Sequence, residues 1–205
     1  VASVVGVMRD PAIRRFLEAA EAALGASSGP EAAAAAGARV FGRCRDRVGA
    51  AGGAEPAMLP VCGWIEAALE QAEGGPRAAL ADALGEIVDR LEWKRRLSAD
   101  PADRAFWDGH ANALILGPGG IEDRSDVWIG ATVMAPGVTY VDHDHPPEEV
   151  YLSLAPGEWW NAGMDWTDPG MTGLIYNPPG IRHAMRSGKA PFLALWFLPV
   201  EAAAL

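Results

Sequence analysis

Between Met8 and Arg96 the apolar positions recur at intervals of three and four. Ile13, Phe16, Leu17, Ala20 and Leu24 form one such stripe, which predicts an amphipathic helix, and Asp10-Pro11 ahead of it supplies an N-cap followed by proline at the first helical position. Gly29-Pro30 opens a second helical stretch that runs through an Ala-rich segment to about Arg47. Trp64, Ile65, Ala68 and Leu69 mark a third helix and Leu80, Leu84, Ile87, Val88 and Leu91 a fourth, with Pro60 and Gly74-Gly75-Pro76 punctuating the joins. Beyond about Asp100 the texture changes to short runs of β-forming residues bounded by Gly, Pro and Asp: Ala113 to Leu116, Val127 to Met134, Glu149 to Leu154, Gly173 to Tyr176 and Phe192 to Leu198. Many short strands with turn signals between them predict an antiparallel sandwich or barrel. The expected fold is therefore mostly β with an α-helical N-terminal part (α+β): a helical region over residues 1–100 packed on a β-barrel over residues 101–205, with no flexible linker between them.

At 205 residues, half of them hydrophobic and 21% charged, the chain has the profile of a soluble globular protein with a substantial core. No apolar run approaches the ~20 residues needed to cross a bilayer, and the opening VASVVGVMRDPAIRR lacks the basic start and long apolar stretch of a secretory signal. Cys44 and Cys62 form no CxxC and have no histidine nearby, so they read as reduced thiols of a cytoplasmic protein. The net charge of −10 is uneven: residues 1–100 hold 12 Lys and Arg against 14 Asp and Glu, a net of −2, while residues 101–205 hold 5 against 13, a net of −8. That field disfavours nucleic acid and suits a cationic ligand.

The chemistry concentrates in HDHPPEEVY, residues 143–151, which spends two of only four histidines. Side chains two apart on a strand share a face, so His143 goes with His145 and Glu149 with Tyr151, while Pro146-Pro147 makes a turn between the pairs. The opposite row, Val150, Leu152 and Leu154, is apolar and needs cover, from helices or from a second copy in a homodimer. Histidines and a carboxylate inside a barrel cost roughly several kcal/mol unless partnered. A divalent transition metal partners them well, since zinc, iron, manganese, nickel and copper all accept imidazole and carboxylate donors. His183 closes the run NPPGIRH, whose Pro-Pro-Gly turn can swing it back toward the first pair. His110, far from both runs, reads as a surface or interface residue.

These two runs resemble the motifs of the cupin family. The first motif is Gly, five residues, His-x-His, three or four residues, Glu, six residues, Gly; Gly137, VTYVD, His143-Asp144-His145, PPE and Glu149 fit it, with Gly157 one residue late. The second is Gly, five residues, Pro-x-Gly, two residues, His, three residues, Asn; Gly173 stands one residue closer to Pro178-Pro179-Gly180, His183 fits, and Ser187 replaces the Asn. Tyr140 and Tyr151 extend the first run to Y-x-x-H-x-H-x-x-x-E-x-Y. With the Ala-rich helices and LPVC at Leu59 to Cys62, the chain looks like the cupin-type dimethylsulfoniopropionate (DMSP) lyases of marine bacteria. The resemblance implies a jelly-roll barrel preceded by about four helices, and cleavage of DMSP, a small sulfonium zwitterion, to dimethyl sulfide and acrylate. It further implies one divalent metal ion (iron, zinc or manganese) held by His145, Glu149 and His183, with His143 a fourth ligand or close neighbour, and tyrosines near the metal as candidate bases.

Such a β-elimination removes a proton α to a carboxylate, and a metal on that carboxylate neutralises the developing charge. Tyr140 is the preferred base and Tyr151 a metal neighbour or alternate base; a phenol with its ordinary pKa near ~10 needs a nearby cation for the task. Tyr176 reads as a packing residue. Aromatic faces attract a sulfonium by ~0.5 to 2 kcal/mol, which makes Trp159, Trp160, Trp166 and Trp196 candidate substrate contacts. Arg182, beside His183, is a candidate for the substrate carboxylate or for a surface ion pair. The same donor set would serve an iron dioxygenase or a sugar isomerase, and the helices could report ligand binding in a non-enzymatic sensor. The near-neutral helical half offers no basic recognition face for DNA.

Overall fold

The computed structural model describes residues 8–201; residues 1–7, on which the reading of the leader partly rests, lie outside the described residues. Asp10 caps helix α1 (Pro11–Gly25), accepting from the Ala12 and Ile13 N–H groups and pairing with Arg90 at 2.7 Å. Helices α2 (Glu31–Asp46), α3 (Ile65–Glu70) and α4 (Ala78–Gly85) follow, matching the four stripes. The third and fourth are shorter than their stripes predict. Pro60 starts a 3-10 turn that takes up Pro60–Trp64 and leaves Trp64 exposed. Helix α4 ends at Gly85, a poor helix former, and a 3-10 turn over Val88–Arg90 lies between the buried Ile87 and Leu91. A fifth helix, α5 (Arg104–Gly109), lies outside the stripe pattern; Asp103 caps it by accepting from the Phe106 N–H.

The strands are β1 (Ala50–Ala51), β2 (His110–Leu116), β3 (Glu122–Asp123), β4 (Val127–Met134), β5 (Thr139–His143), β6 (Glu149–Ser153), β7 (Glu158–Asn161), β8 (Met164–Thr167), β9 (Ile175–Asn177), β10 (His183–Arg186) and β11 (Phe192–Pro199). They sort into a seven-stranded sheet, β1-β3-β2-β4-β11-β6-β9, and a four-stranded sheet, β5-β10-β7-β8. Pairing is antiparallel except between β2 and β3. The large sheet has helices on one face and the small sheet on the other, a jelly-roll arrangement.

Alternation along the central strands serves both faces. Val127, Ile129, Ala131 and Val133 of β4, with Leu193, Leu195 and Phe197 of β11, join Phe16, Val40, Phe41 and Leu84 of the helices in one core. Met134, Phe192 and Ala194, from the other face, meet Tyr140, Trp159 and Met185 of the small sheet in a second. Burial on both sides is why β4 and β11 read as nearly unbroken apolar runs. Val150, Leu152 and Leu154 are fully buried in the helix-side core of the single chain, with α2 packed against β6. At ~1.5 to 3 kcal/mol for each large aliphatic side chain, this row fastens the strand that carries Glu149 and Tyr151. Cys44 and Cys62 are free and buried, and among the described residues no helix is long and apolar enough to cross a membrane.

Candidate active site

His143 ends β5 and His183 begins β10, and the two are partners across the ladder. His145 sits in the turn after β5, and Glu149 opens β6. The Pro178-Pro179-Gly180 turn is held against this segment: Gly180 has φ +69°, a conformation open to glycine, and its N–H donates to the His145 carbonyl at 2.9 Å. Strict alternation would point Tyr140 and His143 to opposite faces. Between the His143–His183 and Tyr140–Met185 pairings, however, β5 carries one residue more than β10. That bulge leaves Val141 and Asp142 exposed and turns Tyr140 and His143 into the same pocket.

The three imidazoles share one device. His143 Nδ1 faces the Val141 carbonyl at 3.0 Å, His145 Nδ1 the Pro147 carbonyl at 2.8 Å, and His183 Nδ1 the Ile181 carbonyl at 2.9 Å. A carbonyl can only accept, so each Nδ1 carries a proton and each Nε2 is left with its lone pair. One nitrogen of each ring lies within 4.8 Å of the others. Glu149 Oε2 lies 3.3 Å from both His145 Nε2 and His183 Nε2. Lone pairs facing a carboxylate oxygen repel unless a cation lies between them, either a proton on His145 or a metal ion. His183 Nε2 is buried with no hydrogen-bond partner, a state that costs ~1 to 3 kcal/mol. Neutral imidazoles of fixed tautomer and a carboxylate are donors that fit a divalent metal.

Electrostatics follow the same grouping. Burial, reinforced by His183 and Arg96, pulls the His143 pKa down to about 3. Burial also opposes charge on His145, but the Glu149 carboxylate more than offsets it and the His145 pKa is raised. Burial would raise Glu149; the adjoining His145 and His183 rings outweigh it and hold the carboxyl well below its usual range. Behind Glu149, Gly163 N–H donates to Asn161 Oδ1 (2.9 Å), Asn161 Nδ2 to Asn177 Oδ1 (3.1 Å) and Asn177 Nδ2 to Glu149 Oε2 (3.3 Å). Because a backbone N–H can only donate, this chain has one direction, and it ends as a donor to the carboxylate.

A cavity of about 210 Å³ opens beside the cluster, with Tyr140, Tyr151, Arg96, Asn112, Trp128 and Trp196 in its wall. Tyr140 Oη accepts from Asn112 Nδ2 at 2.9 Å, and the Arg96 guanidinium lies 5.9 Å from its ring centre. Burial pushes the Tyr140 phenol pKa up against the opposing pull of Arg96 and Asn112. Tyr151 is pushed up much further by burial, and the neighbouring Glu149 carboxylate adds to it.

The family profile of the DMSP lyases (dimethylsulfoniopropionate lyase) matches residues 34–194. The chain belongs to this family. It is 29% identical over 119 residues to the dimethylsulfoniopropionate lyase DddQ of Ruegeria pomeroyi DSS-3; this match spans 58% of the chain and 59% of that relative, less than two thirds of its length. The crystal structure of the DMSP lyase DddQ from Ruegeria pomeroyi DSS-3 superposes with a TM-score of 0.73 at 21% identity, over 96% of this chain and 95% of that one. A chain from the crystal structures of the DMSP lyases RdDddP and RnDddQII gives 0.66 at 22% identity, over 95% and 94%. The cupin-type architecture of helices ahead of a jelly roll is thus common to this DMSP lyase family member and these relatives.

Within the family member's pocket, Trp196 alone of the four candidate tryptophans lines the wall. Trp159 is buried in the second core against Tyr151 and Phe192. Trp160, its neighbour on β7, faces the other side of the small sheet, and Trp166 on β8 lies under Arg186, 4.3 Å from the ring centre. Neither strand contributes a residue to the cavity wall, and β10 separates both from β5. Arg182 pairs with Asp142 at the surface and is also outside the pocket wall. His110 overturns its expected exposure: it is fully buried, stacked on Phe106 at 3.7 Å and edge-on to Tyr140, and its Nε2 accepts from the Arg96 N–H at 3.0 Å. Tyr176 donates to Glu148 and packs beside the helix-side core. Sequence reasoning missed Arg96, Asn112, Trp128, Thr132 and Asn177. A signal existed for Trp128 and Thr132, which share a face of the otherwise apolar β4; Arg96 and Asn112 carry no local mark.

Proposed function

We propose that the chain is a metal-dependent lyase that cleaves DMSP to dimethyl sulfide and acrylate by β-elimination, the helical region 1–100 covering the sheet and the barrel region 101–205 carrying the site. One observation carries the reading: imidazole lone pairs and the Glu149 carboxylate converge beside Tyr140 at a pocket with tryptophan faces. His145, Glu149 and His183 would hold one divalent transition metal, iron, zinc or manganese, with His143 a fourth donor. Bound there, the ion supplies Lewis-acid stabilisation of a substrate carboxylate without redox change.

The chain's own residues do the rest. Tyr140 acts as its phenolate: Oη takes the proton α to the carboxylate, becoming the neutral phenol, and gives that proton up to water before the next turnover. The C–H electron pair becomes the C=C bond of acrylate, and the C–S bond breaks to release a neutral sulfide, so the leaving group needs no acid. Tyr140 is better suited than Tyr151 because its oxygen accepts from Asn112 and Arg96 lies over its ring, whereas Tyr151 lies against Glu149. Trp196 and Trp128 offer faces to the sulfonium, worth ~0.5 to 2 kcal/mol. The two free, buried thiols support a reducing, cytoplasmic setting.

Headspace sulfide from metal-loaded protein tests this. Tyr140→Phe is expected to keep its metal and lose about 100-fold or more in kcat, with a smaller loss for Tyr151→Phe. No sulfide from the wild-type chain defeats the lyase reading; normal turnover by Tyr140→Phe defeats the choice of base.

A further inference from the structure

We propose that Asn112, held by Thr132 and Trp196, is the positioning residue that fixes the Tyr140 oxygen for proton abstraction; the inference rests on the lyase reading above. Three adjacent strands of the large sheet supply a hydrogen-bonded chain that crosses to the facing sheet. Trp196 Nε1 on β11 donates to Thr132 Oγ1 on β4 at 3.1 Å, Thr132 Oγ1 donates to Asn112 Oδ1 on β2 at 2.6 Å, and Asn112 Nδ2 donates to Tyr140 Oη on β5 at 2.9 Å.

The far end sets the direction. An indole N–H can only donate, so Thr132 Oγ1 accepts from it and sends its single proton to Asn112. The 2.6 Å separation is that of an O–H···O bond, so the amide oxygen of Asn112 faces Thr132 and its NH₂ turns toward Tyr140. A flipped amide would take away the Asn112 acceptor of the Thr132 hydroxyl proton.

Each link is also held in place. Asn112 and Thr132 are direct partners across the ladder, and Thr132 is buried. Trp196 lies against Gly130, where a Cβ would come within 2.3 Å of the indole, so a side chain there would displace the ring. The Tyr140 ring packs edge-on to Phe106, with centroids 4.8 Å apart, and against His143 at 5.1 Å. With the ring confined and one acceptor position of Oη filled by Asn112, Tyr140 is held in the cavity wall. Alignment of this kind is what proton transfer to a held substrate requires.

The test uses isosteric changes. Asn112→Asp keeps the shape but removes the N–H that reaches Tyr140; Thr132→Val removes the link, and Thr132→Ser restores it. kcat, KM and bound metal are measured alongside the NMR spectrum of zinc-loaded protein labelled with 13Cζ-tyrosine, whose three tyrosines give three resonances. Expected are a kcat loss of about 30-fold for Asn112→Asp and about 10-fold for Thr132→Val, with KM and metal content within about twofold of wild type, and near-normal kcat for Thr132→Ser. The Tyr140 resonance should move in the Asp and Val variants and return in Ser. Unchanged kcat in both, an unmoved resonance, or metal lost in step with kcat overturns the assignment. The NMR arm needs no turnover, so an inactive wild type counts against the lyase reading while the resonance still decides the positioning role.

Discussion

Replacing Arg77 with methionine tests how the helical layer is fastened to the strands behind the site. Arg77 is 1% exposed, and among the described residues no carboxylate pairs with it. Instead Nη1 donates to the Ser153 carbonyl (2.6 Å) and Oγ (3.0 Å), and Nη2 to Ser27 Oγ (3.0 Å) and the Gly173 carbonyl (2.7 Å). These four bonds join the end of α1, the start of α4, β6 and the loop into β9. Burial lowers the Arg77 pKa from 12.5 to about 10, which corresponds to roughly 3 kcal/mol of desolvation. Four hydrogen bonds from a charged group contribute about 1.5 to 3 kcal/mol each, so the set outweighs that cost. Methionine keeps the apolar stem and removes charge and bonds together. Ser27 and Ser153 retain their own bonds to the Ala23 and Gly170 carbonyls, which limits the damage. The expected loss is about 3 to 5 kcal/mol, read as a fall in the urea midpoint at constant slope. A loss below about 1 kcal/mol would refute the claim that these bonds outweigh desolvation.

Further outcomes concern the ligand cluster and the first helix. Glu149→Gln replaces the charged donor of the proposed ligand set with a neutral amide, a loss on the order of 3 to 5 kcal/mol for a buried ion pair. Its metal Kd in chelator competition should rise about 1,000-fold, and an affinity close to wild type contradicts the ligand assignment. Asn177→Ala removes the donor behind Glu149 and should weaken metal about 10- to 100-fold; no change would make that asparagine chain dispensable. Asp10 has its pKa lowered from 3.8 to about 2, chiefly by its bond to Arg90 and, against the opposing effect of burial, by the two helix N–H groups. Its folded pKa lies below the unfolded one, so its stabilisation is complete above about pH 4 and is lost as pH falls toward 2. Asp10→Ala should cost about 1 kcal/mol at neutral pH and flatten the fall in Tm over that window; an equally steep fall would exclude Asp10 as its source.

Where the determinants are local, the chain is readable. Helix α1 has its cap, its proline and its stripe within 15 residues, and β4 begins and ends where its apolar run does. The histidine and glutamate cluster is readable for the same reason, since strand alternation and a Pro-Pro-Gly turn set its spacing. The bulge in β5 is not, because it exists only relative to β10. Strands β7, β8 and β10 mix polar and apolar residues in four-residue runs too short for a period to emerge. Asn112 reaches Tyr140 only because the two sheets face each other, and His110 is buried because Phe106 and Arg96 satisfy both ring nitrogens. Neither fact is written in neighbouring residues. Tryptophans mislead in the opposite way: an aromatic residue suits a core as well as a pocket, and Trp159 went to the core.

The most direct measurement compares the wild-type chain stripped of metal with the same chain reloaded, recording ions per chain and dimethyl sulfide released from DMSP under anaerobic conditions. One bound ion per chain is expected, with sulfide release that tracks its occupancy. Undiminished sulfide release from fully stripped protein would contradict it.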